Sequence, residues 1–178
     1  MNGKTIDEIY ASNQHIREKF IETLSGLSQS QVSALPEGEK WTIAQIAEHV
    51  SMVENGMARI CSKLLSGAKA AGQLSDGTVK MSDVFTEKSS AASTVRLEAP
   101  EMVRPSHEKT IAESLAAMDE NRDKLEELRP LFKEYDCNIQ KFPHPFFGDL
   151  SASEWLLLVG GHEARHLKQI TNLVEKIG

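Results

Sequence analysis

The sequence predicts an all-α fold. Three observations carry this: apolar residues recur at three- and four-residue steps along four long stretches, two of those stretches open on capping-box sequences, and no stretch alternates convincingly with period two. The 178 residues are 40% hydrophobic and 26% charged. That is enough for one domain, residues 1–178, to bury a core without disulfide or metal support.

The elements follow in order. Between residues 6 and 27, Ile6, Ile9, Ile16, Phe20, Leu24 and Leu27 form one helical stripe, and Asn13 fills its single polar position. A polar stretch from Ser28 to Lys40 has room for one helical turn before Leu35, and Pro36 and Gly38 mark a bend. Thr42 to Gln45 reads as a capping box opening a second helix, with Ile43, Ile46, Val50, Val53, Met57, Ile60 and Leu64 facing inward. From Ser66 to His107 periodicity disappears while Gly and Pro accumulate. A connection of roughly 40 residues is far longer than the usual two to eight between bundle helices, so it crosses the domain or carries function. A third helix is expected from about Lys109 to Leu128, with Ile111, Leu115, Met118 and Leu125 inward, Arg122 on the same stripe and Pro130 helping to end it. The segment Phe142-Pro-His-Pro-Phe-Phe-Gly148-Asp149 reads as irregular. Ser151 to Glu154 is the second capping box, opening a helix from Ala152 to about Lys176.

Composition removes several function classes. The net charge of -6 comes without a basic block, which argues against nucleic acid as a partner. The longest apolar run, Trp155 to Val159, is five residues against about 20 for a bilayer span, so no membrane role is expected. The N-terminus lacks the apolar segment of a secretory signal, which points to the cytoplasm. Cys61 and Cys137 are isolated from each other and from any metal-knuckle spacing, and they read as reduced packing residues.

The chemistry concentrates in Gly161-His162-Glu163-Ala-Arg165-His166-Leu-Lys-Gln169-Ile170. His162 and His166, four apart, stack on one helix face, and Trp155, Leu158, Val159, Ile170 and Leu173 make that face the buried one. Two core imidazoles in one stripe need hydrogen bonds or a metal, and this spacing is a ready bidentate chelate. The same residues spell His-Glu-x-x-His, the zincin protease signature. Only 12 residues follow His166, with no further histidine, so that reading lacks a third ligand. His49, three after Ile46 and four before Val53, borders the second helix's buried stripe and is the best-placed third ligand. His15, His107 and His144 read as exposed or loop residues, His144 being the one that could line a site entrance.

Trp41-Thr42 leading into Glu48-His49, the His144-Pro145 and Gly148 segment before Ser151, and the stretch from Gly161 to Ile170 together resemble the DinB-like superfamily, also called YfiT-like, over essentially the full length. Gln45 departs from an acid common at that position in relatives. The resemblance implies an up-down-down-up four-helix bundle with a divalent metal on His49, His162 and His166. The long connection agrees, since parallel neighbouring helices need a crossover. Characterised relatives include transferases and isomerases that use bacillithiol or mycothiol, and others are described as metal-dependent hydrolases. A low-molecular-weight thiol cofactor acting on a small-molecule substrate is therefore expected. Three imidazoles suit Zn, Ni, Cu or Fe nearly equally.

Glu163 has three readings: it accepts from an imidazole N–H, it acts as a catalytic base, or it faces water. Asn121 and Arg122 are candidates for substrate binding, Arg122 through a carboxylate; the plainer reading of Arg122 is an ion pair with Glu126 or a nearby acid. Trp41 and Trp155 read as packing at the bundle ends. Two alternatives to a thiol transferase stand beside it: a hydrolase using metal-activated water, and a non-catalytic metal-binding protein acting as a homodimer.

Overall fold

The computed structural model describes residues 4–92, 98–106 and 108–178. Six α-helices are present among them: α1 (Ile6–Ser25), α2 (Gln29–Ser33), α3 (Ile43–Ala70), α4 (Asp83–Ala92), α5 (Ile111–Glu134) and α6 (Ala152–Ile177). A 3-10 turn spans Glu101–Val103, and two short strands, β1 (Lys141–His144) and β2 (Gly148–Ser151), precede α6. Five helices open on a Ser or Thr whose hydroxyl accepts from the backbone N–H three residues on, while the Glu or Gln there accepts from the cap's own N–H. These starts are therefore dictated locally, because each box satisfies two otherwise free donors.

The long helices α1, α3, α5 and α6 form a four-helix bundle, and its polarity can be read from its cross-links. Asn13 Nδ2 donates to Leu156 O and Arg17 to Glu163, so α1 and α6 run parallel. Tyr10 Oη donates to Leu125 O and Arg17 Nη1 to Met118 O, so α5 opposes α1. Asn121 Nδ2 donates to Ser51 O and Asp136 N to Gln73 O, so α3 and α5 are parallel. The order is up-down-down-up. The connection between α3 and α5 must then travel the length of the bundle, and it does: Ser75 N donates to Glu134 O at one end, and Ser106 reaches Glu48 near the other.

Four local expectations change. The second helix runs past Ser66 and through Gly67 to Ala70, because Leu65 and Ala68 continue the buried stripe. The connection contains α4, anchored by Phe85 against Phe147 with ring centroids 5.5 Å apart. One apolar anchor in ten residues leaves no periodicity to read. Pro130 lies inside α5 and does not end it. The cost of a helical proline, about 3 kcal/mol, is offset by Phe132, which is buried in the following turn against Tyr10. The segment read as irregular is an antiparallel hairpin, with Phe142 opposite Leu150 and Pro143 opposite Asp149. A two-stranded ribbon has a free edge on each strand, where a residue without N–H is tolerated. Its turn is closed by a side chain: His144 Nδ1 accepts from the N–H groups of Phe146 and Phe147, and Gly148 supplies the positive φ of 83°.

The apolar core is in two parts. One joins Ile9, Tyr10, Cys61, Leu65, Phe132, Trp155 and Leu156 at the hairpin end; the other joins Phe20, Ile43, Ile46, Met118, Ile170 and Leu173 at the opposite end. Between them lies a layer of buried polar side chains that includes Arg17, Glu54, Asn121, Glu163 and His166.

Candidate metal centre

His49 comes from the second turn of α3, and His162 and His166 from successive turns of the antiparallel α6. The crossing brings three ring nitrogens together, all within 4.8 Å of one another. His162 Nε2 lies 3.3 Å from His49 Nε2 and 3.2 Å from His166 Nε2. His49 and His166 are buried, while His162 is half-buried.

The far side of two rings decides which nitrogen carries the proton. His49 Nδ1 donates to the Val103 carbonyl at 2.7 Å, and His166 Nδ1 donates to Gln169 Oε1 at 2.9 Å. With Nδ1 protonated, a neutral ring presents a bare lone pair at Nε2. Neutrality is enforced by the surroundings. Burial lowers His49 despite its bond to Val103, burial and the other two rings hold His162 well below the usual range, and burial pushes His166 down to about 3. Lone pairs from two segments therefore face one point. Two nitrogens on one tetrahedral zinc at 2.0–2.1 Å sit roughly 3.3–3.4 Å apart, and the 3.2 and 3.3 Å spacings match that. The donor set fits a divalent metal. Trp41 packs on the His49 ring, centroids 4.9 Å apart, so it serves the site as well as the bundle end.

The other expected residues lie differently. Glu163 is buried and accepts from Arg17 Nε at 2.6 Å, so it bonds a guanidinium, which none of its three expected roles had named. The turn of about 100° per residue that aims His162 at α3 aims Glu163 at α1. Arg17 also donates to Glu54 Oε1 at 2.5 Å and to Met118 O at 3.0 Å, so one guanidinium ties all four bundle helices. Burial pushes Glu54 up to about 7 against the pull of Arg17, and it raises Glu163 as well. Asn121 is buried and fastens α5 to α3 through Ser51 O, beside Glu54. Arg122 is partly exposed and pairs with Asp119 at 3.0 Å, so the ion pair is the one made, although with a different acid than Glu126. It borders a small cavity with Tyr10, Asn13 and Arg17. His15 is exposed. His144 is half-buried against Trp155, its ring lowered to about 4 by burial and by Lys88. His107 lies outside the described residues. Both cysteines are buried, and burial raises both thiols, Cys137 to about 11.

Sequence reasoning missed Arg17, Glu54, Gln169 as a ring partner and Val103. Arg17 follows the stripe residue Ile16 and gives no periodic signal; Gln169, one turn past His166, was readable; a main-chain carbonyl such as Val103's has no signature in sequence.

A bundle with three histidines converging from antiparallel helices defines a class of helical proteins whose centre could hold a metal ion, and the comparisons narrow it. The family model for the DinB superfamily matches residues 13–170, and the chain belongs to that superfamily. It is 25% identical over 155 residues to the uncharacterized protein YuaE of Bacillus subtilis (strain 168), covering 86% of this chain and 90% of that one. It is also similar to the crystal structure of TT2238, a four-helix bundle protein, with a TM-score of 0.64 and 26% identity over 94% of this chain and 99% of that one. No helix among the described residues is long and apolar enough to cross a membrane.

Proposed function

We propose that this protein is a metal-dependent enzyme in which His49, His162 and His166 hold a divalent cation and leave a coordination position open to a small thiol. The observation that carries the reading is the convergence of the three Nε2 atoms with the Nδ1 protons of His49 and His166 committed to Val103 and Gln169. Neutral nitrogen ligands that leave a vacancy belong to catalytic centres, and a cation so held supplies Lewis acidity and a nucleophile at neutral pH. The chain's own residues bind and orient: Val103 and Gln169 fix two rings, and Trp41 packs against one of them. Neither cysteine supplies a nucleophile to this centre, because Cys61 and Cys137 are buried with raised thiols in the hairpin-end core. This favours an external thiol, as the superfamily resemblance implies, and transfer to a small electrophilic substrate. Metal-activated water acting on an ester or amide is the second reading, favoured by the same vacancy.

The test is direct. Purified protein should carry about one tightly held metal per chain, and His162→Ala should carry none. With metal, wild type should transfer a low-molecular-weight thiol to a model electrophile, and chelation should abolish this. Turnover of esters without thiol would select the hydrolase, whereas stoichiometric metal without either activity would overturn the enzyme reading.

A further inference from the structure

The crossover meets α3 at two consecutive residues. The Val103 carbonyl accepts from His49 Nδ1 at 2.7 Å. Three residues on, Ser106 gives both its N–H, at 3.0 Å, and its hydroxyl, at 2.6 Å, to Glu48 Oε1. Glu48 is 2% exposed, and its Oε2 and Ser114 Oγ are the two buried side-chain polar atoms without a partner among the described residues. A carboxylate buried with donors on one oxygen alone is costly, and among the described residues the bonds it makes are to the crossover. The piece that carries the two tethers is short and locally constrained. Val103 N donates to Pro100 O and Arg104 N to Glu101 O in a 3-10 turn, and buried Pro105 fixes its own φ. Only Arg104 and Pro105 separate the Val103 carbonyl from the Ser106 tether.

We infer that Glu48 and Ser106 are positioning residues for His49: through the strap Val103–Ser106 they hold the carbonyl that orients the imidazole and keeps its proton on Nδ1. The inference rests on the reading of His49 as a metal ligand and deepens it. A cation at Nε2 makes Nδ1–H a stronger donor, and a ring already fixed by its acceptor binds the cation better. Metal and strap then stabilise each other, and the coupling is reciprocal. The crossover has a role at the centre as well as spanning the bundle.

The experiment uses full-length protein and zinc ions as the probe. Zinc affinity is measured by competition with a chromophoric chelator for wild type, Ser106→Ala, Ser106→Thr and Glu48→Gln, and amide exchange over the strap is followed with and without zinc. Ser106 is exposed, so its variants fold even where a change at Glu48 does not. Loss of a ligand's orienting partner weakens metal binding by about 10-fold or more, which is expected for Ser106→Ala and Glu48→Gln, with Ser106→Thr restored to near wild type. Zinc should slow exchange at the Ser106 amide in wild type and do so less in Glu48→Gln. A purely structural role would lower the metal-free melting temperature and leave zinc affinity unchanged. Wild-type affinity in Ser106→Ala, with strap exchange indifferent to zinc, overturns the inference alone. Wild-type protein that binds no zinc, nickel or iron overturns the ligand assignment beneath it.

Discussion

Arg17 is a buried cation between Glu54 and Glu163, and its removal leaves two carboxylates facing each other in a closed layer. Breaking such a pair from one side costs about 3–5 kcal/mol. Arg17→Met should therefore lower the urea midpoint at pH 7 by that equivalent, while a triple variant with Leu at Glu54 and Glu163 should recover most of it. A triple variant as unstable as the single one would show that the guanidinium acts through packing and not through charge. His166 illustrates what the neighbourhood adds to a residue: in sequence it is half of a chelating pair, whereas its proton position comes from Gln169 and its neutrality from burial.

At the scale of elements, α1 and α6 pack without room for a side chain where Gly160 meets Asn13. A Cβ at Gly160 would overlap Asn13 Oδ1 and lie 2.9 Å from Cγ and 3.3 Å from Ile16 Cδ1. Asn13 cannot swing away freely, since its Nδ2 donates to Leu156 O at 2.9 Å. Gly160→Ala should destabilise by about 1–3 kcal/mol as an overpacked contact does, and Asn13→Ala in the same chain should relieve much of that; calorimetry on the three variants reads the coupling. Another junction is Glu154, whose carboxylate accepts from Ser82 and from Ser151, so one side chain caps α6 and secures the start of α4. Burial would raise Glu154, but those bonds outweigh it and hold it low.

For the whole molecule, the buried polar layer and the hairpin's His144 together set the pH response. His49, His144, His162 and His166 are all lowered by burial, so their contribution is complete above about 6.5 and is lost as pH falls, through about 4 for His144 and about 3 for His166. Glu54 and Glu163 are raised, so theirs is complete below about 4.5 and is lost as pH rises, through about 7 for Glu54. Four histidines oppose two carboxyls between pH 4.5 and 6.5. Metal-free protein should melt lower at pH 5 than at pH 7, and Glu54→Gln should steepen the acid loss; a flatter profile in Glu54→Gln would contradict the assignment. Metal at about 100 times its dissociation constant should add about 2.7 kcal/mol by mass action, read as a melting temperature that rises with metal concentration and falls on chelation.

The sequence by itself determined the four bundle helices, two of their caps, the crossover and the three histidines, because helical periodicity and capping are local and a His-x-x-x-His pair falls on one face whatever surrounds it. Only the tertiary structure decided where Glu163, Asn121 and Arg122 point, that Pro130 stays helical, that the Phe142–Asp149 segment pairs as a hairpin, and that Val103 meets His49. Those outcomes depend on what lies opposite a residue across the bundle, and a lone charge, a proline or a main-chain carbonyl leaves no period in the chain from which its distant partner can be read.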